Sequence, residues 1–182
     1  MITHENGVER QVGTAPDHTV DGHGADEHGA EQIAEQIRAH HAGMVADLDR
    51  LSAAVRDAVP GEQGEARRAL AEWFATVLVP HAEEEEVTTY RAAAALTEGR
   101  LLIESMVREH VLIKRLVALF GESGPAAAGA YGRAVFEAFS SHQAKENELI
   151  LTLLVDAAPA SLAAALGGTH ENQTGHQPHA HH

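Results

Sequence analysis

The sequence predicts an all-α fold: an up-down-up-down antiparallel four-helix bundle with disordered, His-rich N- and C-terminal tails. Three observations support this prediction. Apolar residues recur every three or four positions through the Ala- and Leu-rich central part of the chain, and strand signals are nearly absent. Short Gly- and Pro-containing segments divide this central part into four helical segments. Because short connections join helices that run in opposite directions, the four helical segments should pack as an antiparallel bundle.

Each predicted helix is bounded by residues that commonly end helices. The helices are expected over residues 30–59, 64–97, 99–120 and 126–157. Pro60, Gly61, Gly121, Gly124 and Pro125 lie between these helices, and Gly64 and Gly99 begin two of them. A short amphipathic stretch from Ala160 to Leu166 predicts a fifth helix.

Polar segments flank this centre and set the expected domain boundaries. Residues 1–29 and 168–182 are rich in small and polar residues and lack an apolar period, so we predict a disordered arm and a disordered tail around one bundle domain at 30–167. Their histidines either bind Zn, Ni or Cu weakly or belong to solvating tails. They are His4, His18, His23, His28, His170, His176, His179, His181 and His182.

Composition restricts the class of protein. The formal net charge of −14 argues against nucleic acid and anionic membrane surfaces as partners. The chain has no cysteine, so any metal must be held by nitrogen and oxygen ligands. It also lacks a signal-like apolar segment and the roughly 20 apolar residues of a spanning helix, so we expect a cytoplasmic protein. We further expect it to be monomeric or weakly homo-oligomeric.

The most informative motif is a histidine followed four residues later by a glutamate. It occurs twice, as His81 with Glu85 and as His142 with Glu146. A spacing of four places both side chains on one face of a helix. The other two helices each carry a lone histidine on the corresponding apolar seam. The candidate metal ligands are therefore His41, His81, Glu85, His110, His142 and Glu146.

These candidates are also expected at one height in the bundle. In antiparallel helices, residues equidistant from a turn lie at the same level. The midpoints between successive histidines are Gly61, the Ala95–Leu96 junction and Ala126, each at or beside a predicted turn. Burying six unpartnered ionisable groups would be costly, and a pair of shared cations removes that cost. The same seams predict further core positions at Thr88, Leu149 and Leu153.

Three further residues near the motifs have more than one possible role. Glu84 and Glu86 flank Glu85 and are additional candidate ligands; alternatively, with Glu83, they form a solvated acidic face or an access path for cations. His40 lies one step off the seam, so it is expected to be exposed or to support a ligand from outside.

The order of the motifs resembles the hemerythrin-like (HHE cation-binding) domain family. The resemblance covers residues 30 to about 158 and rests on the segments AHHAGMVADLDRL, VPHAEEEEV, REHVLIKRL and SHQAKENELIL. Members of that family hold a non-haem di-iron centre in the bundle core. The resemblance implies that the four histidines are terminal iron ligands. It also implies that Glu85 and Glu146 bridge two Fe ions that share an oxo or hydroxo group.

The sequence departs from the oxygen-carrying members of the family. Those members have a second histidine one turn along the third helix and an aspartate five residues after the fourth-helix histidine. Here the positions four residues before and after His110 are Met106 and Lys114. Around two octahedral irons this ligand set leaves about two open positions. We therefore expect a centre suited to peroxide chemistry rather than to reversible oxygen carriage.

These features together predict a di-iron protein that binds or turns over O2, H2O2 or NO during oxidative or nitrosative stress. The expected partners are small diatomic ligands or peroxide, and a reductant that the sequence does not identify. Catalase- or peroxidase-like activity is left open. The alternatives are an iron or oxygen sensor, a metal store without turnover, or a plain helical bundle with an accidental histidine layer.

Overall fold

In a computed structural model, residues 21–59 and 61–164 of the chain are described, and they contain helices and turns but no strand. Helix α1 spans Asp21–Asp57. The next run consists of α2 (Gln63–Trp73), a first π segment (Phe74–Leu78), α3 (Val79–Val87) and α4 (Thr89–Ala94). Helix α5 spans Gly99–Glu122, and it is followed by α6 (Pro125–Lys145), a second π segment (Glu146–Ile150) and α7 (Leu151–Ala157). The predicted all-α fold is confirmed.

The helix ends differ from the predicted ones at both chain termini. Helix α1 begins at Asp21, so residues 21–29 are helical rather than part of a disordered arm. Residues 159–164 are helical, which confirms the predicted fifth helix over residues 160–164; its last two residues lie outside the described ones. The predictions for residues 1–20 and for the tail at 168–182 lie outside the described residues.

The two π segments change which residues face the core. A π segment closes hydrogen bonds over five residues rather than four, so it rotates the rest of the helix relative to an ideal α-helix. Within and after the second π segment, Ile150 and Leu154 are fully buried, whereas Leu149 is 48% exposed and Leu153 is half-buried. The predicted seam was therefore wrong by one residue at Leu149 and Leu153.

A break at Thr88 divides the second predicted helix. The Thr88 backbone leaves the helical region, with φ −114° and ψ −92°, and its hydroxyl donates to the Glu84 carbonyl at 2.7 Å. Thr88 itself is only half-buried, while Thr89 and Tyr90 are buried. This break therefore turns Tyr90 into the interior, and the prediction of an unbroken helix over 64–97 is wrong.

Helix α1 packs against α2, α6 and α7, and α5 packs against α3, α4 and α6. The core has two apolar clusters. The Phe74 cluster contains Met44, Leu48, Val55, Leu70, Phe74, Leu78, Ile113, Phe120, Ala128, Val135 and Phe139. The Tyr90 cluster contains Ala30, Ala34, Tyr90, Ala93, Ile103, Met106, Ile150, Leu151, Leu154 and Leu162. A buried polar layer lies between them along the chain, as at His110 between Met106 and Ile113.

None of the described helices combines the length and the apolar character needed to cross a membrane.

Helix α5 begins at a position that accepts only glycine. A Cβ at Gly99 would lie 2.0 Å from the Ala93 carbonyl oxygen, so the backbone of α4 or α5 would have to move. We expect Gly99→Ala to lower the free energy of unfolding by about 1–3 kcal/mol, measured by urea denaturation. In the control Gly43→Ala, the new Cβ meets nothing within 4 Å, and a stabilisation of about 0.5–1 kcal/mol is expected. Equal effects of the two substitutions would contradict this prediction.

Candidate metal centre

Helices α1, α3, α5 and α6 and the second π segment each contribute side chains to the buried polar layer. Helix α1 carries His41, α3 carries His81 and Glu85, and α5 carries His110. Helix α6 carries His142 in its last turn, and the second π segment begins with Glu146. Five of these residues are buried; the exception is His81, whose side chain is 13% exposed. Both HxxxE motifs adjoin a π segment, since one π segment ends at Leu78 and the other begins at Glu146. Such segments are frequent at functional sites because they re-aim side chains without ending the helix.

The Glu85 carboxylate lies at the centre of this layer. Its Oε1 is 2.8 Å from His81 Nε2 and 3.4 Å from His41 Nε2, and its Oε2 is 3.4 Å from His110 Nε2. The His41 and His81 rings are 5.3 Å apart, and the His110 and His142 rings are 4.5 Å apart. The structure thus brings together the four histidines and Glu85 that were expected at one height.

Two groups of ligand atoms can each hold a cation. His41, His81 and Glu85 form one group, and Glu85, His110 and His142 form the other, with one ligand atom from each residue and all atoms of a group within 4.8 Å of one another. Glu85 is the member that both groups share. A carboxylate with two oxygens can bind one cation through each oxygen, so this arrangement suits two neighbouring cations.

The histidines are oriented by acceptors at their Nδ1 atoms. When Nδ1–H donates to an acceptor, Nε2 of the neutral ring carries a lone pair, and that is the form that binds metals. Three histidines are held in this way. The pairs are His41 with Asn147 Oδ1 at 2.7 Å, His110 with Glu86 Oε1 at 2.9 Å, and His142 with Glu109 Oε2 at 3.1 Å.

Four buried oxygens accept no hydrogen bond of good geometry from the described residues, although Glu85 Oε1 lies 2.8 Å from His81 Nε2. They are Glu85 Oε1, Glu85 Oε2, Glu146 Oε2 and Gln143 Oε1. Around Glu85, Nε2 of His41 and Nε2 of His110 each lie 3.4 Å from a carboxylate oxygen, which is longer than a normal hydrogen bond. Buried polar groups without partners cost stability, and cations at this site would satisfy these atoms. The residues therefore fit a pair of metal ions.

The pKa values of the two buried glutamates are shifted in opposite directions. Burial and the charge of Glu85 raise the pKa of Glu146 well above its usual range. Burial also acts to raise the pKa of Glu85, but three facing imidazoles, His110 foremost, outweigh it and hold that pKa well below the usual range. Burial and the neighbouring His110 lower the pKa of His142 to about 4, so its imidazole is neutral at pH 7. The surroundings thus favour the ionised form of Glu85 and the protonated form of Glu146.

This proton distribution predicts that cation binding releases a proton. If Glu146 is a ligand, it must lose its proton to bind a cation, so at a pH below its raised pKa we expect proton release of up to one per chain and an apparent affinity that rises with pH. Calorimetric titrations with Mn²⁺ in two buffers of different ionisation enthalpy measure this release. In the control Glu146→Gln the release should fall close to zero. Identical binding heats in both buffers for the unmodified protein would contradict the prediction.

The predicted ligand Glu146 and the remaining candidates, Glu84, Glu86 and His40, lie outside the two groups. Glu86 accepts from His110 Nδ1, and Lys114 Nζ lies 3.4 Å from the same Glu86 oxygen. Glu84 is half-buried, and its carbonyl caps the break at Thr88. His40 is exposed, with its ring 5.5 Å from the His81 ring. Burial, followed by the His81 imidazole, lowers the His40 pKa.

Sequence reasoning missed four polar residues that contact the histidines. Tyr90 donates to His142 Nε2 at 2.9 Å and stacks on His110 at 5.2 Å. The π segment and the break at Thr88 bring Asn147 and Tyr90 inward, so a strict helical period could not find them. Adjacency was the one available signal, since three of the four are next to a ligand in the sequence. The missed residues are Tyr90, Glu109, Gln143 and Asn147.

The fold and the site define a class: an all-helical protein with a buried cluster of imidazole and carboxylate ligands arranged for cations. The chain matches the family model described as the hemerythrin HHE cation binding domain over residues 32–154, more than half of its length. It therefore belongs to the hemerythrin HHE family, and the resemblance seen in the motifs is confirmed. No curated protein and no solved structure gives a match.

Proposed function

We propose that this protein holds a carboxylate-bridged di-iron centre within an up-down-up-down four-helix bundle and that it binds or turns over O2, H2O2 or NO. Two irons bound here would supply the redox chemistry for these small molecules. We further propose that the protein acts in the cytoplasm as a monomer or weak homo-oligomer. A separate reductant would restore the centre.

The observation that carries this proposal is the sharing of Glu85 between two ligand groups. A single-metal site needs only one such group, whereas a shared carboxylate suits a pair of cations. Membership of a cation-binding family supports the same conclusion. Mixed imidazole and carboxylate ligands without thiolate favour iron over the softer metals.

In this proposal each residue has a defined role. His41, His81, His110 and His142 each offer Nε2 as a terminal ligand, while Glu85 and Glu146 offer carboxylates to both cations. The Tyr90 hydroxyl keeps its proton, because burial raises its pKa. It is therefore a proton donor beside His142 Nε2. No other ligand is proposed, so positions remain open for small molecules.

Iron loading followed by rapid mixing tests the proposal. We expect two irons per chain and the near-ultraviolet absorption of an oxo-bridged pair. The di-ferrous protein is then mixed with O2, H2O2 and NO in a stopped-flow instrument. Fast oxidation by peroxide supports the open-centre proposal, whereas fully reversible oxygenation would overturn the preference for peroxide chemistry. A single zinc ion in protein from iron-replete cells would overturn the di-iron centre itself.

A sensor or a metal store is the second candidate function. The four buried oxygens without hydrogen bonds of good geometry favour it, because they make the stability of the fold depend on bound cations. A large loss of stability on iron removal, combined with no turnover of peroxide, would support this function over the first.

A further inference from the structure

The two ligand groups differ in their distance from solvent. We name the group of Glu85, His110 and His142 the inner position, and the group of His41, His81 and Glu85 the outer position. The His110 and His142 side chains are 2% and 0% exposed. At the outer position the His81 side chain is 13% exposed, and its ring lies beside that of the exposed His40. The outer position is therefore the one that solvent can reach.

The two positions also differ in the groups behind their histidines. At the inner position both imidazoles donate from Nδ1 to a carboxylate, His110 to Glu86 and His142 to Glu109. Each carboxylate also contacts a lysine at the surface, Lys114 for Glu86 and Lys145 for Glu109. Two parallel His–Glu–Lys chains thus run outward from the inner position.

The outer position has neutral partners instead. His41 donates to the amide oxygen of Asn147, and the amide nitrogen of Gln143 lies 3.4 Å from His81 Nε2. Within the described residues, no carboxylate accepts from Nδ1 of either of these histidines. The contrast matters because a carboxylate acceptor makes an imidazole a stronger electron donor. Loss of such partners typically costs about 10- to 100-fold in metal affinity.

We infer that the two cation positions are unequal, an inference that rests on the proposed two-cation function. The inner position fills first and binds about 10- to 100-fold more tightly, and the outer position exchanges its cation past His81. Glu86 and Glu109 are positioning residues that set this difference. The Tyr90 hydrogen bond to His142 Nε2 must break when a cation binds there, which lowers the affinity of the inner position by roughly tenfold at most. Two carboxylates outweigh that single hydrogen bond.

Titration of the metal-free full chain with Mn²⁺ tests the inference, with free Mn²⁺ counted by electron paramagnetic resonance. Mn²⁺ is the probe because imidazole-only sites, such as the terminal His-rich segments, bind it more weakly than Zn²⁺, Ni²⁺ or Cu²⁺. We expect two equivalents per chain that differ in affinity by about 10- to 100-fold. Glu86→Gln and Glu109→Gln keep an acceptor oxygen and remove the charge, so each should weaken the first equivalent by about tenfold or more.

Two further variants make the test selective. Asn147→Ala removes the acceptor at the outer position and should weaken only the second equivalent. Glu83→Gln removes an exposed carboxylate that lies 3.9 Å from Lys114, and it is expected to leave both equivalents unchanged. A purely structural effect of the Glu109 substitution would weaken both equivalents together, and an unchanged unfolding temperature checks for it.

Three results would count against the inference. Two equal equivalents in the unmodified protein would overturn it and leave the two-cation centre intact. Equal weakening of both equivalents by Glu109→Gln would do the same. A single equivalent in the unmodified protein would overturn the two-cation centre and this inference with it, so the two failures are distinguishable.

Discussion

Replacing Glu85 with glutamine is expected to abolish binding at both cation positions. Glu85 is the one residue that both ligand groups share, and its two oxygens face imidazoles from three helices. Glutamine keeps the shape of the side chain, but it removes the negative charge and replaces one oxygen by a donor that repels cations. We expect the loss of affinity at each position to exceed the roughly 10- to 100-fold that loss of an outer partner costs.

Elemental analysis of protein purified from iron-replete cells measures this effect. The matched control is Glu84→Gln, which makes the same chemical change one residue earlier, at a half-buried side chain outside both ligand groups. The control should retain the full metal content. If Glu85→Gln kept even one tightly bound metal ion per chain, the shared-carboxylate arrangement would be wrong.

The second large effect is expected on metal removal. The metal-free protein retains four buried oxygens without hydrogen bonds of good geometry, and bound cations relieve that cost. A ligand at about 1,000 times its Kd stabilises a protein by about 4 kcal/mol. Since about 1 kcal/mol shifts the melting temperature of a domain of this size by about 2–4 °C, chelation should lower Tm by about 8–16 °C.

Differential scanning calorimetry of the loaded and chelated protein tests this prediction. The Glu85→Gln variant provides the control, because a protein that binds neither cation should melt at the same temperature with or without chelator. A Tm that does not change on chelation of the unmodified protein would show that the buried layer is stable without cations.

Much of the fold could be predicted because its signals are local. Helix α5 is expected over residues 99–120 and is found at Gly99–Glu122, since glycines mark both of its ends. The register after Glu146 could not be predicted. A π segment inserts one residue into the helical period, and an apolar run such as Leu149, Ile150 and Leu151 offers no sequence mark of which residue turns inward.

The candidate site divides in a similar way. The spacing of four joined Glu85 to His81, and the equal distances from turns joined His41 to both, because helix geometry dictates these relations. The roles of Asn147 and Tyr90 depend on departures from that geometry, at the second π segment and at Thr88. Tertiary packing sets such departures, and the period of a single sequence does not reveal them.

The polar layer between the Phe74 and Tyr90 clusters also has a consequence for folding specificity. Apolar burial is non-directional. The two apolar clusters alone would therefore tolerate a shift of one helix along its neighbours by a full turn. Such a shift here would carry His110 or Glu85 into a cluster of aliphatic and aromatic side chains, where a charged or polar group has no partner. The layer therefore fixes the axial register of the helices, in the way that a single buried polar residue fixes the alignment of a coiled coil.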